Sequence, residues 1–256
     1  MKERSTWESF FSSAGALSVF TGRFAVQATR GGQELRELGR QCFVIGYQSL
    51  PLTALTGFIM GLVLTIQLRP SLLDYGVESQ LPSMISVAVI RELGPVITAL
   101  IFAGKIGSRI GAELGSMRVT EQIDAMEVSG TNPFKFLVVT RVLACTLMLP
   151  ALALIADAIA LYGSYLGVNI KGNTSFPLFY RQAMNILSFG DVVPAFLKTF
   201  LFGFAVGIIG CFEGYFSKKG TEGVGRSANS AVVTASIAVF IIDLISVLVT
   251  DLLNLN

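Results

Sequence analysis

The sequence predicts an all-α integral membrane protein, with five transmembrane helices preceded by one amphipathic helix. Three observations carry this reading. Only 14% of the 256 residues are charged, against about a quarter in soluble globular domains. The mean hydropathy is +0.67. Five apolar stretches are each long enough to cross about 30 Å of hydrocarbon as a helix. The length fits one compact unit, read as an N-terminal cytoplasmic region, residues 1–41, followed by a five-span domain, residues 42–256.

The N-terminal region begins with mixed charges, and serines interrupt its apolar residues, so it reads neither as a cleavable signal peptide nor as a span. Phe10, Ala14, Leu17, Phe20 and Phe24 recur at helical spacing with Thr21 and Arg23 between them. That pattern predicts an amphipathic helix lying in the cytoplasmic interface; a loosely ordered tail is the alternative. The spans follow at 42–68, 82–103, 136–168, 192–212 and 228–250. The second is the least uniform, because Arg91 and Glu92 interrupt it. Between the spans lie short segments rich in Gly, Pro, Asn and charge.

Orientation follows from the basic residues, which stay on the cytoplasmic side of span ends. Lys2, Arg4, Arg23, Arg30, Arg36 and Arg40 precede the first span. Lys105, Arg109, Arg118, Lys135 and Arg141 follow the second, and Lys218, Lys219 and Arg226 follow the fourth. The opposite side has Arg69, Lys171 and Arg181. The asymmetry predicts a multi-pass membrane protein with its N-terminus cytoplasmic and its C-terminus outside.

Composition also excludes function classes. A net charge of +2 gives no nucleic-acid footprint, and the absence of histidine removes His-based catalytic triads, His-ligated metals and haem ligation by His. Cys42, Cys145 and Cys211 sit in or beside apolar runs at no metal-ligand or disulfide-framework spacing, as small hydrophobic residues do. Gly104-Lys105 resembles the end of a phosphate-binding loop, but Ile106 replaces the Ser/Thr and Ala99 the first glycine. An ATP-driven process would therefore place ATP and Mg on a separate subunit; no cofactor or metal is expected on this chain.

Four polar sites interrupt the spans: Arg91–Glu92, Asp157, Lys198 and Asp243. An ionisable group in hydrocarbon costs at least ~2.5 kcal/mol on insertion scales, so it faces a partner or a wet cavity. At about 1.5 Å per residue, counted from the basic anchor of each span, Arg91 lies roughly 21 Å deep, Lys198 about 22 Å, Asp157 about 24 Å and Asp243 about 25 Å. All four fall in the outer half at one depth, as the lining of an outward-open cavity would. Buried ion pairs between helices are the alternative, and for Asp157 and Asp243, with their apolar neighbours, it stays open. For Arg91, Glu92 and Lys198 a substrate-binding role is expected. Arg91 and Glu92 point about 100° apart, so one face cannot hide both.

Gly107, Gly111 and Gly115 form a column that lets another helix approach closely, while Lys105, Arg109 and Glu113 lie roughly 200° around the same helix. Gly57–Gly61, Gly163–Gly167 and Gly203–Gly207 repeat the small-residue spacing. Next comes a short segment in which Thr120 suits an N-cap and Glu121 the first turn, and Gly130 and Pro133 end the helix. In it Ile123 and Met126 read as an apolar knob ringed by Glu121, Asp124 and Glu127. Such a helix suits the docking of a cytoplasmic partner; an ordinary inter-span loop is the alternative.

The runs Arg91-Glu-Leu-Gly-Pro95, Ala103-Gly-Lys-Ile-Gly-Ser-Arg-Ile-Gly-Ala-Glu-Leu-Gly-Ser-Met117, Glu121-Gln-Ile-Asp-Ala-Met126 and Asn132-Pro133, with Phe212-Glu-Gly214 and Gly220 to Arg226, resemble the MlaE (YrbE-type) permease family over nearly the whole chain. The resemblance implies a homodimer of five-span subunits with an interfacial N-terminal helix. It implies cytoplasmic ABC ATPases engaging the Glu121–Gly130 helix, a periplasmic MCE-domain protein and often a small STAS-domain partner. The implied substrate is phospholipid, moved between the inner membrane and periplasmic carriers, with positions matching Arg91 and Glu92 beside the lipid cavity. Two rivals need no ATPase. One is a proton-coupled secondary transporter of an amphiphilic substrate, using Glu92, Asp157 and Asp243 as relays. The other is an intramembrane lipid-modifying enzyme, which the lack of histidine and of clustered aspartates disfavours.

Overall fold

The computed structural model describes residues 6–29, 34–170, 172–218 and 220–252. Lys2, Arg4, Arg30, Lys171 and Lys219 lie outside the described residues, as does the side chain of Phe10. The described chain is helical throughout its elements: α1 (Thr6–Thr29), α2 (Leu35–Asp74), α3 (Glu78–Val119), α4 (Gln122–Val128), α5 (Phe134–Asn169), α6 (Phe176–Asn185), α7 (Phe189–Tyr215) and α8 (Thr221–Leu252). The five expected spans fall within α2, α3, α5, α7 and α8, all of them long and apolar enough to cross a membrane. The helices overrun the apolar runs because hydropathy marks only the hydrocarbon layer. Beyond it, local pairs such as Arg40–Glu37 and Arg226–Glu222 sit at the spacings that support a helix in water.

Within α3 the winding changes twice. Val89–Leu93 and Ala103–Gly107 are π-turns between α-helical stretches. The first has a local cause. Pro95 has no N–H to give to the carbonyl of Arg91, and its ring crowds that carbonyl. The chain widens by one residue just before it, and the Gly94 amide bonds Val89 O, five residues back. Arg91 and Glu92 thus sit on a wide turn, a feature frequent at functional positions.

Small residues set the helix spacing. A Cβ at Gly57 would stand 2.6 Å from the Ala156 carbonyl oxygen, and one at Gly61 would collide with that of Ala160, so α2 and α5 pack backbone to backbone. From the other helix, a Cβ at Gly163 would collide with the Phe58 carbonyl oxygen. The column on α3 packs as its spacing predicts: Gly107 faces Val206 of α7, Gly111 faces Ser227 and Ala231 of α8, and Gly115 faces Ser217 and Val224. On the far side of α3, Arg109 pairs with Glu113 at 2.6 Å and also bonds the Gln48 side chain, while Lys105 bonds the Gln48 carbonyl. Arg40, Arg109, Arg118, Arg141, Lys218 and Arg226 share one end of the bundle, hereafter the basic end.

At that end α1 docks through the stripe seen in its sequence. Phe20 is 3% exposed and meets the rings of Phe134, Phe212, Tyr215 and Phe216 at centroid distances of 5.0–6.1 Å. Phe24 packs on Phe204, and the Arg23 guanidinium lies 4.3 Å over the Phe134 ring. Leu17 joins the same core while Ala14 is exposed. The inner half of the stripe therefore faces protein, where an interfacial helix on its own would face lipid.

Two expectations for α4 are corrected. Thr120 is not its N-cap: the Thr120 hydroxyl donates back to Ser116 O at 2.8 Å, and Glu121 enters the helix in the left-handed region at φ 57°. Nor do Ile123 and Met126 form an outward knob. Ile123 is fully buried in the main core and Met126 is packed against it, because an apolar pair on a seven-residue helix gains most by anchoring it. The exposed face carries Glu121, Gln122, Asp124, Ala125, Glu127 and Val128. Asp124 pairs with Arg118, and the turn out of the helix uses Gly130 at φ 80°, as expected of that glycine.

At the opposite end, α6 is pinned to α3 by two hydroxyls: Ser83 donates to Gln182 O and Ser86 to Ala183 O, at 2.8 and 2.7 Å. Arg69 closes the α2–α3 corner, pairing with Glu78 at 2.7 Å and donating to Val168 O. α8 has a continuous apolar face of Val233, Ile237, Phe240, Ile241, Leu244 and Leu248, all more than half exposed in the single chain.

Candidate functional site

Lys198 lies in α7, 3% exposed, and its ammonium reaches two carboxylates: Glu92 Oε2 at 2.6 Å and Asp243 Oδ1 at 2.9 Å. Three spans thus meet at one ion triad, α3 through its π-turn, α7, and α8. A cation this buried needs such company, since an unpaired charge inside a membrane protein is costly. Beside the triad, Arg91 Nη1 pairs with Asp191 Oδ1 at 3.4 Å. Adjacent on the widened turn, Arg91 and Glu92 point apart, one to the start of α7 and the other to its third turn.

Asp191 is not among the residues expected at this site, although the sequence holds a signal for it. Ser188-Phe-Gly-Asp191 has the spacing of a capping box before an apolar run. The Ser188 hydroxyl accepts from the Asp191 amide at 3.3 Å, and Asp191 Oδ2 accepts from the Ser188 amide at 3.0 Å. Asp191 Oδ1 then remains for Arg91, so one carboxylate starts α7 and holds α3.

Asp157 stands apart from this group. It is buried on α5 at 9% exposure, and among the described residues its Oδ1 has no hydrogen-bond partner. It rests against Gly94, directly after the π-turn; a Cβ at that glycine would collide with Oδ1. The depth count placed Asp157 beside the others, but packing puts it behind α3.

The triad end of the bundle also carries Gly190, Pro194, Ser246 and Thr250, which with Arg91, Glu92 and Lys198 line a crevice of about 10 Å³. That is room for about one water. Within a single chain the charged group borders only a narrow crevice, with Glu92 in reach of solvent, and a lipid headgroup would need more space than that crevice offers. Among the described residues no three His, Cys, Asp or Glu side chains gather as a metal site.

The chain was compared with known proteins. A family model described as Permease MlaE matches residues 38–249. A "Probable ABC transporter permease protein" of Rickettsia felis is 38% identical over 232 residues, 91% of this chain and 90% of that protein. A protein of the same description from Synechocystis is 34% identical, covering 88% of this chain and 86% of its own. The "Intermembrane phospholipid transport system permease protein MlaE" of Haemophilus influenzae is 36% identical over 210 residues, 81% of this chain and 80% of its own. With the family model spanning α2 to α8 and relatives matching at this level over most of both chains, the protein belongs to the MlaE permease family.

Proposed function

We propose that the chain is the membrane permease of an ABC-type phospholipid transporter. It works as a homodimer in the inner membrane, N-terminus cytoplasmic, exchanging lipid with a periplasmic MCE-domain carrier while a separate cytoplasmic ATPase binds ATP and Mg. A small STAS-domain protein is a further partner. The observation that carries the reading is the Lys198–Glu92–Asp243 triad with Arg91–Asp191 beside it, a charged group at the end of the bundle opposite the basic end. In two copies facing each other, Arg91, Glu92 and Lys198 would border a shared outward cavity for headgroups, which supplies the space one chain lacks. The exposed apolar face of α8 is suited to such a partner or to lipid. The acidic outer face of α4, at the opposite end, suits contact with the ATPase. α1, partly docked on protein, would rest its outer side in the interface.

A proton-coupled secondary transporter is the second reading, and one observation favours it: the buried carboxyl oxygen of Asp157, without a partner among the described residues, is the kind of group a proton carrier uses. One experiment separates the two. Tagged chain is captured in mild detergent, and the eluate is assayed for ATPase activity and for bound lipid by mass spectrometry. Co-eluting ATPase with phospholipid supports the ABC reading. Transport of phospholipid by the lone chain in proteoliposomes, driven by a pH gradient without ATP, refutes it.

A further inference from the structure

A second charged cavity opens at the basic end, where the start of α2, the last turns of α3 and the start of α5 converge. It encloses about 370 Å³ and is lined by Arg40, Gln41, Arg109, Glu113, Ser116 and Arg141 among others. Arg141 is its floor. At 7% exposure it donates from Nη1 to Leu137 O at 3.0 Å and makes a long contact from Nη2 to Glu113 Oε2 at 3.4 Å. Its Nε is buried and, among the described residues, has no hydrogen-bond partner. Buried polar groups are almost always satisfied, and the weakly held part of this guanidinium is Nη2, whose bond runs at 3.4 Å to Glu113 on the cavity wall, so the fork has donor capacity left for an acceptor the chain does not supply.

Charge points the same way. Glu113 holds Arg109 and Arg141 together, with Arg109 Nε on its other oxygen at 2.6 Å. Glu37 pairs with Arg40 at 3.4 Å, and its second oxygen takes the Gln41 amide at 2.7 Å. Three guanidiniums thus face two carboxylates and leave one positive charge. We infer that this cavity binds a singly charged phosphate ester, the headgroup phosphate of a phospholipid in the leaflet at the basic end, with free phosphate as the soluble source of the same chemistry. Guanidinium forks match phosphate oxygens with two donors at once. The lipid source is favoured by the neighbouring surface of α2: Phe43, next in the chain to the cavity-lining Val44, stacks on Tyr47 at 5.7 Å, and each ring is 70% exposed. Aromatic pairs of this kind sit at the headgroup level of a bilayer, so acyl chains could run along α2 from a phosphate held by Arg141. This site lies at the opposite end from the Lys198 triad and is tested by binding alone, so its failure leaves the transport reading standing.

The full-length chain, delipidated in mild detergent, is titrated with short-chain phosphatidylglycerol, with inorganic phosphate and with diacylglycerol, and occupancy is read by native mass spectrometry. Arg40→Gln alters an exposed side chain and serves as the variant whose fold is secure; Arg40→Gln/Arg109→Gln removes two of the three cations. The expected result is saturable binding of phosphatidylglycerol, weakened about tenfold or more in the double variant and reduced in Arg40→Gln with its melting temperature unchanged. Binding of inorganic phosphate with the same sensitivity and no lipid binding would name the soluble source for the same site. Binding of neither anion, or phosphatidylglycerol binding no tighter than diacylglycerol and equal in all variants, overturns the assignment.

Discussion

Replacing Lys198 with methionine keeps most of the side chain's volume and removes its charge. Glu92 Oε2 and Asp243 Oδ1 lie 2.6 and 2.9 Å from one nitrogen, so they are within about 5.5 Å of each other. At an effective dielectric of about 20, two unit negative charges at that separation repel by roughly 3 kcal/mol. Solvent reaches Glu92, whose side chain is 36% exposed, more than Asp243 at 20%, which trims the repulsion, while loss of the cation adds the cost of two carboxylates without their partner. The expected loss for Lys198→Met is about 2–4 kcal/mol, read as equilibrium unfolding in mixed micelles. The triple variant Lys198→Met/Glu92→Gln/Asp243→Asn removes the stranded charges too and should recover more than half of that loss, since neutralising a whole buried network costs less than breaking it. On the proposed function it should still fail to transport lipid. A single variant within about 0.5 kcal/mol of wild type, or a triple variant less stable than the single, would refute the view that the triad is a coupled unit.

Two further outcomes follow from packing. Gly94→Ala forces a methyl group onto Asp157 Oδ1 and should destabilise the protein by about 1–3 kcal/mol, as overpacking does. Adding Asp157→Ala should return part of that loss, which a double-mutant cycle of melting curves would show. Ile123→Ala empties a fully buried site and should cost about 2–5 kcal/mol in the same unfolding assay. Val128→Asp, 91% exposed on the same helix, should leave stability within about 0.5 kcal/mol while reducing the ATPase activity captured with the tagged chain; unchanged capture would count against α4 as the contact.

The spans were legible because hydropathy is a local property and each stretch must cross the same thickness of hydrocarbon. Depth was legible as well, since residues count distance along a helix: Lys198 and Asp243 were placed at nearly one level, and they touch. Direction around the helix axis was not. Glu92 meets Lys198 and Arg91 meets Asp191, whereas Asp157, at a similar depth, faces Gly94 from behind. That azimuth depends on a π-turn whose cause, Pro95, is visible in the sequence but whose position and width are not. α4 was misread for a related reason. Ile123 and Met126 share a face, but only the surrounding core decides whether that face points in or out. Phe20 illustrates the converse, since its apolar stripe could be predicted while the ring of Phe134, Phe212 and Tyr215 that receives it comes from two distant helices.

The two π-turns of α3 give this helix spare length. Each holds one residue more than an α-helical turn, and absorbing it would rotate everything beyond by about 100°. The helix is held on both sides of the first turn, by Gly111 and Gly115 against α8 and its neighbouring loop and by Ser83 and Ser86 against α6, so rewinding there must release one of the two grips, and the one nearer Arg91 and Glu92 is a pair of hydrogen bonds. α3 is therefore less a strut than a screw gripped at both ends, with its spare length stored between the grips. A turn of about 100° at Val89–Leu93 would exchange the neighbours of both charged side chains at the expense of the two bonds to α6, while the helix stays continuous and the basic end does not move.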